Sequence, residues 1–575
     1  MLKSNNFLDW RGPSQWASII IFFLFFVGFA VRIVGVNWGY AHPDENISMA
    51  AKVLTGNLIP DSHYYPPLLN YLVAGSFAAT YIGGRFGGAW ANVEQFRAEY
   101  FSNPELFKIA ARSVTAALGA LLAPLFYMSA RWTGLGFKAS LFCGLVGLLS
   151  PANVLFSHFS KSDIGMTSAV VLVAGLLILK SHEIAARRLD YWLGLALVLA
   201  VSFKHSAVFS LIPMLLVWMA LRSNQSLEGL GGTVKRVLVV AIIGWPILNI
   251  GIILDFQNFL SYQKLQSQFS NRSDGIYIPI ETFLNLLVSD VTGVGYLSSL
   301  TFVGLSAVAI AGRTSAPVLN WQIWLPSSVL ISVCLILYIV GGRQPASLWL
   351  PQFTLIQLYA ALGLARLFSS VSKFRRFFSI LLAGSILIAS GAGCLEMMRQ
   401  AVAPPIKELV RSYMSENIGA NTKILSSASW DIPRNQAATD AKIAREQRLA
   451  KKYGVTLPSK APEKLTVDPL KSGFYIIDIP FVIGGLEIYD EKDVKVVKPF
   501  AWPIQQEEFH LDYWLDRGFT IFITADIQTY TESKVPAYRR LHGEIQDRCE
   551  RTKEFLPTKV LFSEPSVQIF DCTRR

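Results

Sequence analysis

The sequence predicts a polytopic α-helical membrane protein that ends in a smaller extracytoplasmic α/β domain, and three observations predict it. Mean hydropathy is +0.39 with 16% charged residues, against about 25% in a typical soluble domain. The apolar residues are gathered into runs such as "SIIIFFLFFVGFAV" and "SAVVLVAGLLILK", which suit membrane spans of about 20 residues. Near residue 400 the composition changes to charged segments with helical and β-rich patterns, so the chain divides at 1–399 and 400–575.

Taken in order, apolar segments lie near 15–36, 109–130, 137–157, 163–180, 190–203, 206–222, 236–254, 283–311, 322–341, 347–366 and 376–395, about eleven spans. The first follows a short leader with Lys3 and Arg11 and has no small-residue cleavage site after it, so it reads as a retained signal anchor. The segment 66–84 opens with Pro66-Pro67 and runs into "GGRFGG"; it reads as a helix lying at the interface. Charge supports this layout. With the N-terminus inside, inner loops carry Arg131, Lys138, Lys180, Arg187, Arg188, Arg222, Lys235, Arg236, Arg313, Arg366, Lys373, Arg375 and Arg376. The short outer loops carry few: Lys161, Lys204, Lys264, Arg272 and Arg343. That is the positive-inside bias, and it would invert if 66–84 crossed. A bacterial inner membrane, with the tail on the periplasmic face, follows as the expected location.

The net charge of +12 does not point to nucleic acid. Residues 400–575 hold 25 Lys/Arg against 24 Asp/Glu, so the excess sits in the membrane part, where basic loops meet anionic lipid. Of the five cysteines, Cys143, Cys334 and Cys394 lie in or beside apolar spans, and none has metal-site spacing. Cys549 and Cys572 are the two in the tail, and an oxidising compartment would let them pair. In the tail, "GFYIIDIPFVIGG", "FTIFITAD" and "VQIFDC" read as strands and "AKIAREQRLAKKYG" as a helix.

This topology collects ionisable groups on one leaflet: His42, Asp44, Glu45, His63, Tyr64 and Tyr65 from the first outer loop, Arg112 from the second span, His158, Lys161 and Asp163 from "SHFSKSD", Lys204 and His205 from "SFKHSA", and Arg343 from "GGRQP". Charges at membrane depth are costly, and a cluster of them marks a site. Plainer roles exist for each: Asp44 and Glu45 can favour a helix N-terminus, Asp163 can cap the fourth span, and Lys204 and Arg343 can snorkel. As a set they have complementary chemistry. A carboxylate accepts a proton from an attacking hydroxyl, and lysine or arginine holds a phosphate. The ligand types of His42, Asp44, Glu45 and His63 would also suit a divalent cation, although their spacing is not diagnostic; no other cofactor is implied.

The Asp44-Glu45 pair just after the first span, followed about twenty residues later by Tyr65-Pro66-Pro67-Leu68, resembles the GT-C glycosyltransferases, and within them the group of protein O-mannosyltransferases and lipid A aminoarabinose transferases (family 39-like). "AARSVTAALGALLAPLFYMSARWTG", "LLSPANVLFSHFSKSDIGMTSAVVL", "LALVLAVSFKHSAVFSLIPMLL" and "WLPQFTLIQLYAALGLARL" follow in that group's order, so the resemblance covers nearly the whole chain. It implies an inverting glycosyltransferase that takes a monosaccharide from a polyprenyl-phosphate donor to an envelope acceptor: lipid A or lipopolysaccharide, polysaccharide, or protein. It implies Asp44 as the base with Glu45 as its paired acid, Asp163 as a second acidic site residue, and Lys204, with Arg343 as a weaker match, on the donor phosphate; Arg112, at the same level, is a further candidate for that phosphate. His42, His63, Tyr65 and Lys161 stand as further site candidates. Two departures stand out: Tyr65 replaces the family's histidine, with His63 two residues earlier, and Leu348-Trp349 stands where a basic-aromatic pair is usual. A transporter or flippase of lipid-linked sugars is the rival reading. It calls for broken or charged helices at the bilayer midplane and for internal repeats, and no repeat is visible.

Overall fold

The computed structural model describes residues 15–39, 42, 44–45, 47–60, 63–102, 104–182, 187–223, 230–270, 277–311, 321–340, 345–368, 372–419, 422–427, 435–454, 473–478, 505–525, 536–562 and 564–573. The leader with Lys3 and Arg11 lies outside these residues, as do Arg272, Arg313 and Arg343. The chain forms two compact units: Met1–Asn37 with Ala41–Val402, and Trp38–Tyr40 with Ala403–Arg575.

The larger unit is a helical bundle. Eight of its described helices are long and apolar enough to cross a membrane, and a ninth span arises if the bent pair Phe137–Leu148 and Pro151–Ser157 counts as one. The chain is a multi-pass membrane protein. The remaining two apolar segments of the sequence take shorter forms. One is the 17-residue helix Arg187–Phe203. The other, 283–311, is broken into Tyr277–Val288 and Tyr296–Ala311, with Gly295 at φ +90° between them. The helix Leu68–Phe86 is not among the candidate crossings. Its Asn70, Val73, Ala74 and Phe77 face inward, and the opposite side exposes Leu72, Ile82 and Phe86.

The helices Ser162–His182 and Ala346–Leu367 form the centre of the bundle. The first is apolar all round and nearly wholly covered, as expected of a helix ringed by others. The second adds a polar ladder: Gln357 accepts from Ser150, which accepts from Asn153, whose own side chain meets Thr354. Buried hydrogen-bonded groups of this kind fix the register of packed helices, because each would be costly if left unpaired. The break at Ser150 is braced by Arg32. Its guanidinium donates to Gly147 O, Leu148 O and its own helix's Gly28 O at 3.1–3.4 Å, taking up carbonyls that the end of helix Phe137–Leu148 leaves without intrahelical partners.

The smaller unit holds a mixed sheet of order β2-β1-β3-β5-β4, with β1 Lys423–Ser426, β2 Tyr475–Asp478, β3 Phe519–Ala525, β4 Glu550–Phe555 and β5 Val567–Asp571. β1 pairs parallel with β2 and β3, and β5 pairs antiparallel with β3 and β4. Consecutive strand residues point to opposite faces. Leu425, Phe522 and Phe570 therefore pack with the helix Pro536–Arg548 on one side, while Ile424, Ile523 and Ile569 pack with Ile406–Asn417 on the other. Burial on both faces is why "FTIFITA" reads as nearly unbroken apolar sequence rather than alternating. Cys549 and Cys572 form a disulfide, Cα–Cα 4.3 Å, and flank the paired residues Glu550 and Asp571 where β4 begins and β5 ends.

Candidate functional site

The loop that leaves the first helix at Ile33 turns at Gly35, whose φ of +72° and close approach to Ala401 (2.6 Å from an added Cβ) leave no room for a side chain. Two side chains then fasten the exit. Arg112 Nη1 donates to Val36 O at 3.0 Å, and a His158 ring nitrogen meets Val34 O at 2.8 Å.

Next comes a tight turn across His42–Glu45. Glu45 N donates to His42 O, His42 N donates to the Glu45 carboxylate, and Asp44 N donates to His42 Nδ1 at 3.1 Å. These reciprocal bonds close the turn on itself, ahead of the short helix Ile47–Val53. Since Nδ1 accepts, the His42 ring proton sits on Nε2. Burial, then the neighbouring Lys161 charge, hold its pKa below the usual histidine value, against the pull of Asp44, Glu45 and Asp163.

The neighbours Asp44 and Glu45 have opposite environments. Glu45 is fully buried against a fully buried Arg112. Its Oε1 accepts from Arg112 Nε and from Ser160 N, and its Oε2 from Arg112 Nη2 and from His42 N, all at 2.8–2.9 Å. Every lone pair of that carboxylate is committed. Burial pushes the Glu45 carboxyl up, but the Arg112 guanidinium and these hydrogen bonds together hold it below the ordinary range. Asp44 has a side chain 43% exposed, with Lys161 Nζ 3.0 Å from Oδ2. Burial pushes its carboxyl up as well; the Lys161 charge and hydrogen bond, with His42 and Lys204, outweigh that and keep it ionised.

A second ion pair stands close enough for its charges to be felt at His42 and Asp44. Asp163, in the first turn of Ser162–His182, is buried, and its Oδ1 lies 2.5 Å from Lys204 Nζ. Its Oδ2 is buried with no hydrogen-bond partner among the described residues. Lys204 leaves the end of Arg187–Phe203 in extended conformation, and its ammonium lies 5.3 Å from the centre of the Tyr65 ring, within cation–π range.

His63 belongs to a different cluster. It is buried, with Nε2 2.8 Å from Asp255 Oδ2, and its ring meets Phe259 and Tyr262 edge-on. The set His42, Asp44, Glu45 and His63 is therefore not assembled as cation ligands: His63 is turned to Asp255 and Glu45 is saturated by Arg112 and amides. No group of three or more His, Cys, Asp or Glu stands close enough to hold a metal ion among the described residues. Arg343 lies outside the described residues. Sequence reading missed Asp255, Ser160 and Arg32. Asp255 carried a usable signal, a lone acid ending the apolar run "NIGIILD". Ser160 acts through its backbone amide, which no residue type announces.

No protein-family model and no curated protein sequence matches the chain. Similarity appears at the level of structure. The apo crystal structure of ArnT from Cupriavidus metallidurans matches with a TM-score of 0.50 at 12% identity, over 96% of this chain and 98% of that one. The fold is GT-C-like. ArnT bound to undecaprenyl phosphate matches over the same shares with a TM-score of 0.48 and 12% identity. The archaeal oligosaccharyltransferase AglB from Archaeoglobus fulgidus, in complex with an inhibitory peptide and a dolichol-phosphate, matches at 0.47 and 12% identity, over 90% of this chain and 70% of that one. Within a GT-C-like bundle the ion pairs above gather at one end, where the first helix exits, Ser162–His182 begins and Arg187–Phe203 stops.

Proposed function

We propose that this chain is a membrane-embedded inverting glycosyltransferase that moves a monosaccharide from a polyprenyl-phosphate donor to an envelope acceptor. One observation carries the reading: Asp44, a half-exposed carboxylate kept ionised and, among the described residues, hydrogen-bonded on one side only, stands among cations that include Lys161 and Lys204. A carboxylate with a free edge can take the proton of an attacking hydroxyl. Cations beside it can bind a phosphate and stabilise the charge it gains on leaving. Phosphate departs readily, so no strong general acid is required.

In this reading Asp44 is the base and Lys204 holds the donor phosphate, with Arg343 as a further candidate for it. Asp163 and Tyr65 orient Lys204. Glu45 and Arg112 are positioning residues, because their mutual saturation leaves neither facing a substrate. His42, neutral and capping the turn, orients Asp44. His63 with Asp255 ties the first loop to the helix Phe256–Ser270. The amphipathic helix Leu68–Phe86 follows the catalytic loop directly and suits a lipid-borne donor arriving from the bilayer. The disulfide favours an oxidising compartment, so we place the tail and the site on the periplasmic face of a bacterial inner membrane. Lipid A or lipopolysaccharide, polysaccharide and protein all fit as acceptors. The test is to give purified protein a labelled polyprenyl-phosphate monosaccharide with envelope extracts. Label moving to a glycolipid, glycan or protein, and failing to move with Asp44→Asn, is the expected result; neither transfer nor donor hydrolysis by wild type would overturn the reading.

A further inference from the structure

The buried Glu45 carboxylate holds two stretches of backbone at once. Its Oε2 takes the amide of His42, two residues before Asp44, and its Oε1 takes the amide of Ser160, one residue before Lys161. Lys161 itself sits in a tight turn, its amide donating to Phe159 O at 2.7 Å. One clamp therefore sets the base and a lysine in register, and the result is Lys161 Nζ 3.0 Å from Asp44 Oδ2. The two lysines of the site differ. Lys204 is held from two sides, by the buried Asp163 and by the face of Tyr65. Lys161 has a single carboxylate within ion-pair distance among the described residues, and that carboxylate is the one that must change charge in the reaction.

Resting on the glycosyltransferase reading, we infer that Lys161 is a mobile cation that pairs with Asp44 before transfer and with the departing lipid phosphate after it. The step balances as follows. The acceptor oxygen forms a bond to the anomeric carbon, and its proton passes to Asp44. The bond from that carbon to the phosphate oxygen breaks, and its electron pair stays on the phosphate. A singly charged phosphodiester becomes a phosphate monoester with one more negative charge, while Asp44 goes from anionic to neutral. One unit of negative charge has left Lys161's resting partner and appeared on the leaving group. The ion pair that keeps Asp44 a competent base is thereby dissolved by its own protonation, and the freed ammonium is available where charge develops. The cations and anions of the cluster are otherwise balanced: Arg112 with Glu45, Lys204 with Asp163, Lys161 with Asp44.

The experiment is a double-mutant cycle on full-length protein in lipid nanodiscs, read as affinity for undecaprenyl phosphate at pH 8, with wild-type transfer measured alongside. The expected result is that Asp44→Asn binds this product-like lipid several-fold more tightly than wild type, that Lys161→Met binds it about tenfold more weakly, and that the gain from Asp44→Asn disappears when Lys161 is also methionine. Lys161→Arg should retain most of the affinity. Lys161→Met should also lower kcat with little change in donor KM. If Asp44→Asn raises affinity equally with and without Lys161, the two are uncoupled and the inference falls while the reading stands. A Lys161→Met enzyme with reduced kcat but wild-type product affinity makes Lys161 a mere support for Asp44 and also overturns it. Wild type that neither transfers sugar nor binds the lipid phosphate removes the reading and the inference together.

Discussion

Asp44 and Glu45 are adjacent carboxylates in one turn with opposite surroundings, one half-exposed beside Lys161 and one enclosed by Arg112. Asp44→Asn keeps the shape and removes the base. Transfer should fall by about 10²–10⁴-fold with the protein still folded, measured as single-turnover rate on protein that melts like wild type; near-normal turnover would take Asp44 out of the mechanism. Its pKa, held below the ordinary 3.8 chiefly by Lys161 against the push of burial, sets the sign of the pH effect. A lowered carboxyl pKa means the ionised form is favoured by the fold, so this contribution is present at neutral pH and is lost only as pH falls through the lowered value. Glu45→Gln is expected to act differently. It leaves Arg112 buried beside a neutral amide, and breaking a buried pair costs about 3–5 kcal/mol. The loss should appear as a lowered melting temperature, whereas a Glu45→Gln protein that melts like wild type would show that the buried pair adds little to stability.

At the scale of elements, the tail's edge is secured covalently. The Cys549–Cys572 bond closes a loop of sequence separation 23, and removing such a link costs about 3 kcal/mol on chain-entropy grounds. Cys549→Ser with Cys572→Ser should therefore speed hydrogen exchange of the β4 and β5 amides in the full chain by about two orders of magnitude, and unchanged exchange would show that packing alone holds the edge. His542 gives the same unit a pH response. It is buried in the helix Pro536–Arg548, and burial lowers its pKa from 6.5 to about 4. The unfolded chain then takes up the proton before the folded one does, so stability is full above pH 6.5 and declines as pH falls towards 4, by an amount on the order of a few kcal/mol. His542→Gln should flatten that decline in a tail-specific melt; an unaltered slope would assign the acid sensitivity to other groups.

For the whole molecule, orientation is the quantity that the site depends on. The proposed orientation rests on the distribution of basic loops and on the disulfide of the tail. Mass mapping of non-reduced protein taken directly from the cell envelope should find Cys549 and Cys572 linked. Recovery of both as free thiols would remove the compartment argument. The membrane also explains why the cluster sits at one end of the bundle. Ions at mid-depth would need partners throughout, and a lipid-borne phosphate travels at the headgroup level.

The sequence by itself determined that the chain spans a membrane, that a unit with helical and β-rich patterns follows near residue 400, and which loops bring charge to one end, because hydropathy and strand alternation are local properties that the solvent reads directly. It also marked Asp44, Asp163, Lys161 and Lys204, since ionised residues beside apolar runs are costly enough to stand out. Only the tertiary structure decided how those charges pair. That Glu45 is walled in by Arg112, Ser160 and His42, and that His63 turns to Asp255 instead of to His42, depend on partners 60 or more residues away or on backbone amides. Pairing is a matter of distance in three dimensions, and electrostatic energy falls off over a few ångströms. Two adjacent carboxylates that look alike in the sequence are therefore separated, by what the fold packs around them, into one half-exposed group beside Lys161 and one enclosed by Arg112 and amides.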